Sequence, residues 1–128
     1  MALLQQLRPY LKDAETPGTR VKTRDSHYVE QLLEWIESRY KEEFRLEQLA
    51  RDMHLTPNYV SHLFRQVTGS SISEYLTARR MREACLLLKT TSYPIQDIAL
   101  EIGLTSVSYF IQLFKKKMGM TPSQYRSS

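Results

Sequence analysis

The sequence predicts an all-α protein built from two helix-turn-helix subdomains joined by a long linker helix. Three observations predict it. Apolar residues recur at helical spacing along most of the chain, with no convincing strand pattern. Gly, Pro and Thr clusters cut that periodicity into short segments. One segment is also written twice, as "LTPNYVSHLFRQVTG" (Leu55 to Gly69) and as "LTSVSYFIQLFKKKMG" (Leu104 to Gly119).

The first element expected is a short helix at Leu3 to Leu11, followed by a linker, "TPGTRVKTRD" (Thr16 to Asp25), that mixes Pro, Gly, Thr and charge. The domain proper begins near Ser26. Val29, Leu32, Leu33, Ile36 and Tyr40 then line one side of an amphipathic helix, with Glu30, Glu34, Glu37 and Arg39 on the other.

The repeat comes next. Leu46, Leu49, Ala50, Met53 and Leu55 match Ile95, Ile98, Ala99, Ile102 and Leu104 at an offset of 49. Beyond the turn the offset becomes 50, pairing Tyr59, Val60, Leu63, Phe64, Gly69 and Tyr75 with Tyr109, Phe110, Leu113, Phe114, Gly119 and Tyr125. The second copy therefore carries one extra residue in its turn, and two identical packing patterns imply two like substructures. The expected bounds are about 46–69 for the first helix-turn-helix, about 72–91 for the linker helix and about 95–119 for the second.

Caps support these bounds. Thr56 and Ser106 are natural N-caps, and Pro57 suits the first helical position. Gly103 supplies the left-handed residue that ends the preceding helix, a task its counterpart His54 must perform with a side chain. Gly69 and Gly119 terminate the second helices, "SISE" (Ser71 to Glu74) fits a capping box, and Thr121-Pro122 opens a last short helix.

Composition bounds the function. At 128 residues, 41% hydrophobic and 25% charged, the chain has the make-up of one ordinary globular domain. No apolar run is long enough for a membrane helix, and the N-terminus lacks a secretory pattern, so no membrane association and a cytoplasmic address are expected. The lone cysteine, Cys85, cannot form an internal disulfide and reads as a small core residue. Charge is unevenly placed: residues 1–44 hold seven Lys/Arg against eight Asp/Glu, and residues 45–128 hold eleven against six. The basic excess lies in the repeated part; such a bias fits nucleic acid or an anionic surface, and many ordinary proteins are as basic.

A helix-turn-helix places its second helix in the major groove of DNA, although the same unit also packs in proteins that never touch DNA. The segment "IQDIALEIGLTSVSYFIQLFKKKMGMTPSQYR" (Ile95 to Arg126), preceded by "YLTARRMREACLLLKTT", resembles the signature of the AraC/XylS-type transcription regulators, and the resemblance covers about residues 27–127. His54 departs from the usual Gly-type turn residue, and Leu104 stands where the family often has Phe. The resemblance implies a homeodomain-like fold of seven helices in two subdomains, with the long middle helix joining them. It also implies promoter DNA and RNA polymerase as partners, and an activator or a related regulator as the role. Members of this design often carry a sensor, dimerisation or receiver domain in front. The residues before Ser26 are too few for a sensor, which leaves two accounts, a small regulator controlled by its abundance or the output part of a longer, signal-responsive protein; the helix and linker expected before Ser26 favour the second.

A linker helix of about twenty residues spans about 30 Å, close to the roughly 34 Å between successive major-groove openings on one face of B-DNA. One monomer could then engage two grooves of an asymmetric site. Helical phase selects the residues that would reach bases. In the first copy Val60, Leu63, Phe64 and Val67 take the core, leaving Asn58, Ser61, His62 and Arg65 outward. In the second, Phe110, Leu113 and Phe114 are inward, leaving Val107, Ser108, Ile111, Gln112 and Lys115 outward. Amides at Asn58 and Gln112 can grip adenine, His62 can meet a base edge, and Val107 and Ile111 can pack on thymine methyls. A solvated surface position is the plain alternative for each residue taken singly.

Arg65, Lys115 and Lys116 are the phosphate candidates, and Lys117, matched to Val67, is expected to lay its stem over the core. Arg79, Arg80 and Arg82 fall on the linker helix, where structural pairing and phosphate contact are both open. Enzyme readings fare poorly. His27, His54 and His62 form no metal-ligand spacing, no phosphate loop or nucleophile motif occurs, and the aromatic residues, Tyr109 included, read as helical core. No catalytic residue, metal or cofactor is therefore expected. The competing account is a helical protein-interaction module without sequence-specific DNA binding, against which the polar and cationic outward set argues.

Overall fold

A computed structural model describes residues 23–128 of the chain. The expected Leu3–Leu11 helix lies outside the described residues, as does most of the linker that follows it. Within them the molecule has seven helices and no strand: α1 (Thr23–Arg39), α2 (Leu46–Asp52), α3 (Pro57–Thr68), α4 (Ile72–Thr90), α5 (Ile95–Glu101), α6 (Val107–Met118) and α7 (Pro122–Ser127). The first helix starts earlier than composition implied, so Thr23, Arg24 and Asp25 are helical rather than linker. The last breaker, Gly18, is already behind them, and Asp25 in the first turn opposes the positive end of the helix dipole.

The chain divides into two compact units. Among the described residues, one comprises residues 23–38 together with Arg45–Tyr75; the other comprises Arg39–Phe44 with Leu76–Ser128. The first unit is built on Val29, Leu32, Leu33 and Ile36 of α1, Leu49 and Ala50 of α2, Val60, Leu63, Phe64 and Val67 of α3, and Ile72 and Tyr75 from the start of α4, all buried. The second is built on Met81, Ala84 and Leu88 of α4, Ile98, Ala99 and Ile102, Leu104, and Phe110 and Phe114 of α6. Leu113 packs at its edge, only partly buried.

The duplication extends to ring geometry. Phe64 meets Tyr75 edge-to-face with centroids 5.8 Å apart, and Phe114 meets Tyr125 edge-to-face at 5.7 Å. Each pair ties the second helix of a helix-turn-helix to the helix that follows it.

The turns show where the extra residue sits. In the first unit the His54 N–H donates to the Arg51 carbonyl (3.0 Å) and the Leu55 N–H to the Ala50 carbonyl (2.8 Å). In the second the Gly103 N–H donates to Leu100 (3.1 Å) and the Leu104 N–H to Ala99 (2.9 Å). Both pairs form the same helix-terminating motif around one left-handed residue, His54 at φ 58° and Gly103 at φ 91°. Leu55 is followed at once by the N-cap Thr56, whereas Thr105 intervenes between Leu104 and the N-cap Ser106. Thr105 is thus the inserted residue, and it lengthens the loop without altering either cap.

Capping residues end the remaining elements. Ser71 and Glu74 exchange backbone and side-chain bonds at the start of α4 (3.0 and 3.3 Å), and Thr121 and Gln124 do the same at α7 (3.2 and 2.9 Å). Arg80 is a structural residue: its Nε donates to the Tyr40 carbonyl at 2.9 Å and Nη2 to the Glu42 carbonyl at 2.8 Å. These bonds satisfy carbonyls just past the end of α1, and burial pulls the guanidinium pKa down from its ordinary value. Arg79 stacks 4.2 Å over the Tyr40 ring and pairs with Glu83 at 3.4 Å. Arg82 is exposed.

Candidate nucleic-acid interface

Each unit presents one twelve-residue helix, α3 or α6, whose inner side is filled by core residues and whose outer side is exposed. Thr56 Oγ1 accepts the Tyr59 N–H at 3.2 Å and Ser106 Oγ accepts the Tyr109 N–H at 3.1 Å, so both helices begin on a side-chain cap. Both end on a left-handed glycine, Gly69 and Gly119, whose N–H returns to the Arg65 and Lys115 carbonyls at 2.8 and 2.9 Å.

On α3 the residues Asn58, Ser61, His62 and Arg65 are all exposed, one helical turn after another along one face. On α6 Ser108, Ile111, Gln112, Lys115 and Lys116 are exposed, and Val107 is half-buried at the helix start. The structure therefore gathers the sequence-selected residues into two faces, one per unit. Short amide, hydroxyl and imidazole groups occupy the first two turns of these faces and cations the last. Groups of the kind that can hydrogen-bond base edges are in this way separated along each helix from the cations.

Two expectations fail. Lys117 is exposed, whereas the Val67 it matches is buried. Tyr109 is not core either: it is 53% exposed, on the flank of α6 beside Gln112. Its matched residue Tyr59 is partly buried, and that match carried Tyr109 into the predicted core. Tyr109 is thus an outward aromatic residue of the candidate interface that periodicity missed; its distance from the buried Phe110–Phe114 stripe in helical phase was the signal that marked it.

The cations differ in their neighbours. Arg65 Nη2 lies 3.6 Å from Glu74 Oε1, with both side chains 63% exposed. At the position matching Glu74 the second unit has the neutral Gln124, which caps α7 in the same way. Arg65 is consequently shared with a carboxylate, while Lys115 has no acid at the corresponding place.

Among the described residues no three or more His, Cys, Asp or Glu side chains come together to hold a metal, and no helix is long and apolar enough to cross a membrane.

Two capped helix-turn-helix units, each with an outward second helix, define a helix-turn-helix protein. A helix-turn-helix domain family model matches residues 49–128. Over 108 residues the chain is 36% identical to the bifunctional transcriptional activator/DNA repair enzyme AdaA of Bacillus subtilis, covering 84% of this chain and 51% of AdaA. Over 98 residues it is 33% identical to the regulatory protein SoxS of Salmonella typhimurium, covering 77% of this chain and 92% of SoxS. The crystal structure of the DNA-binding domain of AdpA, a global transcriptional factor, in complex with a target DNA superposes with a TM-score of 0.73 at 26% identity, covering 77% of this chain and 89% of that one. The chain belongs to the AraC/XylS family of helix-turn-helix, DNA-binding transcription regulators. It spans nearly all of SoxS but only about half of AdaA.

Proposed function

We infer that this chain binds a specific double-stranded promoter site, setting α3 and α6 into successive major grooves of an asymmetric sequence. One observation carries the reading: two outward helix faces, built on matching cores, expose different side chains at every matched base-reading position. Two identical faces would suit a direct repeat; different faces suit a site whose halves differ. The 19-residue α4 is about 28 Å long at 1.5 Å per residue, near the groove repeat. Asn58, Ser61, His62, Val107, Ser108, Ile111 and Gln112 are the base readers in this account, and Arg65, Lys115 and Lys116 the phosphate contacts.

The chain acts by binding rather than catalysis, and the repair activity in AdaA's name is not carried over to it. RNA polymerase is the proposed partner at the promoter, and an upstream sensor, dimerisation or receiver domain the proposed source of the signal. The length of AdaA relative to the segment it shares supports a longer architecture. The proposed address is the cytoplasm, where promoter DNA lies in a bacterium.

Selection of bound sites from random DNA, followed by gel shifts at two salt concentrations, tests the proposal. A selected site should bind at least a thousandfold more tightly than random DNA, and protection should extend over about two helical turns. Equal affinity for selected and random DNA would replace this reading with that of a protein-interaction module.

A further inference from the structure

The outer faces of α3 and α6 share a frame and differ in chemistry along one flank. On α6, Val107 and Ile111 stand one turn apart on the same side, beside Ser108 and Gln112; Val107 is half-buried and Ile111 is 36% exposed. The matching positions on α3 are Pro57 and Ser61. Packing does not require an isoleucine there, because the first unit builds the matching core with a serine at that position.

Within the major groove an aliphatic side chain has one specific group to meet, the methyl on C5 of a pyrimidine. Thymine displays it, and cytosine does not. Methylation at C5 of cytosine puts the same group at the same place in the groove. The Gln112 amide, adjacent on the helix surface, adds the donor–acceptor pair that grips adenine.

Resting on the base-reading assignment above, we propose that the second unit is a methyl reader. Val107 and Ile111 recognise the pyrimidine C5-methyl group, whether on thymine or on 5-methylcytosine. The first unit, working with Asn58, Ser61 and His62, reads by hydrogen bonds and is indifferent to that methyl. Binding at a site with cytosine under Ile111 therefore responds to cytosine methylation, in one half-site only.

The test uses the 128-residue chain and a site selected from random DNA, resynthesised with deoxyuridine for each thymine in turn. This change deletes the methyl and keeps the pairing and every hydrogen-bonding group. Uracil at one or two positions of one half-site weakens binding roughly fourfold per methyl, the value of burying one such group. Exchanging cytosine for 5-methylcytosine at those positions strengthens binding by a similar factor. Neither exchange matters in the other half-site. Ile111→Ser, which installs the first unit's residue at an exposed position, and Val107→Ala each reduce the dependence. Circular dichroism confirms that both variants are folded, and the DNA exchanges need no variant at all.

Selective binding that is unmoved by uracil at every position overturns the inference, as do methyl effects that are undiminished in both Ile111→Ser and Val107→Ala or that fall equally in both half-sites. Failure to select any site overturns the base-reading assignment itself, and this inference with it.

Discussion

Replacing Gly103 by alanine puts a Cβ 2.9 Å from the Lys41 carbonyl carbon and oxygen and 2.9 Å from the Tyr40 carbonyl oxygen. Those atoms are backbone, and Arg80 holds two neighbouring carbonyls, at Tyr40 and Glu42, so the segment cannot yield without loosening that grip. The φ of 91° adds strain of about 1–2 kcal/mol for any side chain, and overpacking against fixed atoms adds about 1–3 kcal/mol. Against these stands a gain of about 0.4–1 kcal/mol from the stiffer unfolded chain. The net loss should be about 2–4 kcal/mol. Gly119 provides the internal control, since its φ is 82° and an added Cβ there meets nothing within 4 Å. Gly119→Ala should cost only the conformational part, about 1 kcal/mol or less after the same offset. Urea unfolding followed by circular dichroism at 222 nm compares the two variants under identical conditions. Equal losses would mean that positive φ alone sets the cost and that the approach to Lys41 is irrelevant, which would refute the reasoning.

Lys115→Ala should weaken binding to all DNA alike and lower the slope of log affinity against log salt by about 1, whereas Arg80→Ala should leave that slope unchanged and lower stability by about 1.5–3 kcal/mol through its lost charge-assisted bonds; a fall in slope for Arg80→Ala would return that residue to the phosphate contacts. Gln112→Ala should cost about 1–3 kcal/mol and relax selectivity in one half-site only, as read by repeating the site selection. Glu74→Gln, which copies Gln124, keeps the cap of α4 and removes the carboxylate beside Arg65; binding should tighten and its salt slope grow steeper, and weaker binding would show that Glu74 orients Arg65 rather than competing for it. Burial raises the Cys85 thiol, opposed by its bond to Tyr125, and that bond also raises the Tyr125 hydroxyl. Both folded-state values lie above the unfolded ones, so their contribution is complete below about pH 8.5, the ordinary thiol value, and is lost as pH rises through the folded values. Melting temperature should decline in the alkaline range and less steeply in Cys85→Ala; a melting temperature that rises there would contradict the assignment.

The helices, their caps and the core were legible in the sequence because each is set by local chemistry. Pro57 after Thr56, Gly69 and Gly119 at the helix ends, and the 3.6-residue spacing of Val60, Leu63, Phe64 and Val67 act within one or two turns. His54 was recognisable as a left-handed residue because its repeat partner is glycine. What the sequence hid depends on neighbours far along the chain. Tyr109 and Tyr59 are the same residue at matched positions with different exposure, and Lys117 is exposed where the matching Val67 is buried. Arg80 likewise had two open roles until the carbonyls of Tyr40 and Glu42, some forty positions away, were found on its guanidinium.

The outward residues were selected by subtraction, as whatever the core pattern left over, and their exposure follows from the same pattern. That logic yields a face but no ranking within it, and ranking comes from the differences between copies. Most core equivalents are conservative, as Leu49 and Ile98, Ala50 and Ala99, Phe64 and Phe114, Tyr75 and Tyr125 show, with Val60 and Phe110 and Val67 and Lys117 the exceptions. The surface equivalents change kind: Asn58 and Ser108, Ser61 and Ile111, His62 and Gln112, Glu74 and Gln124. A second fold built on the same interior needs none of those outward changes for packing, so they are available to separate one half-site from the other. The replacement of Ser61 by Ile111 is the largest of them in chemistry, since it exchanges a hydrogen-bonding group for an apolar one whose remaining exposed surface, 36%, gains only by burial against a partner.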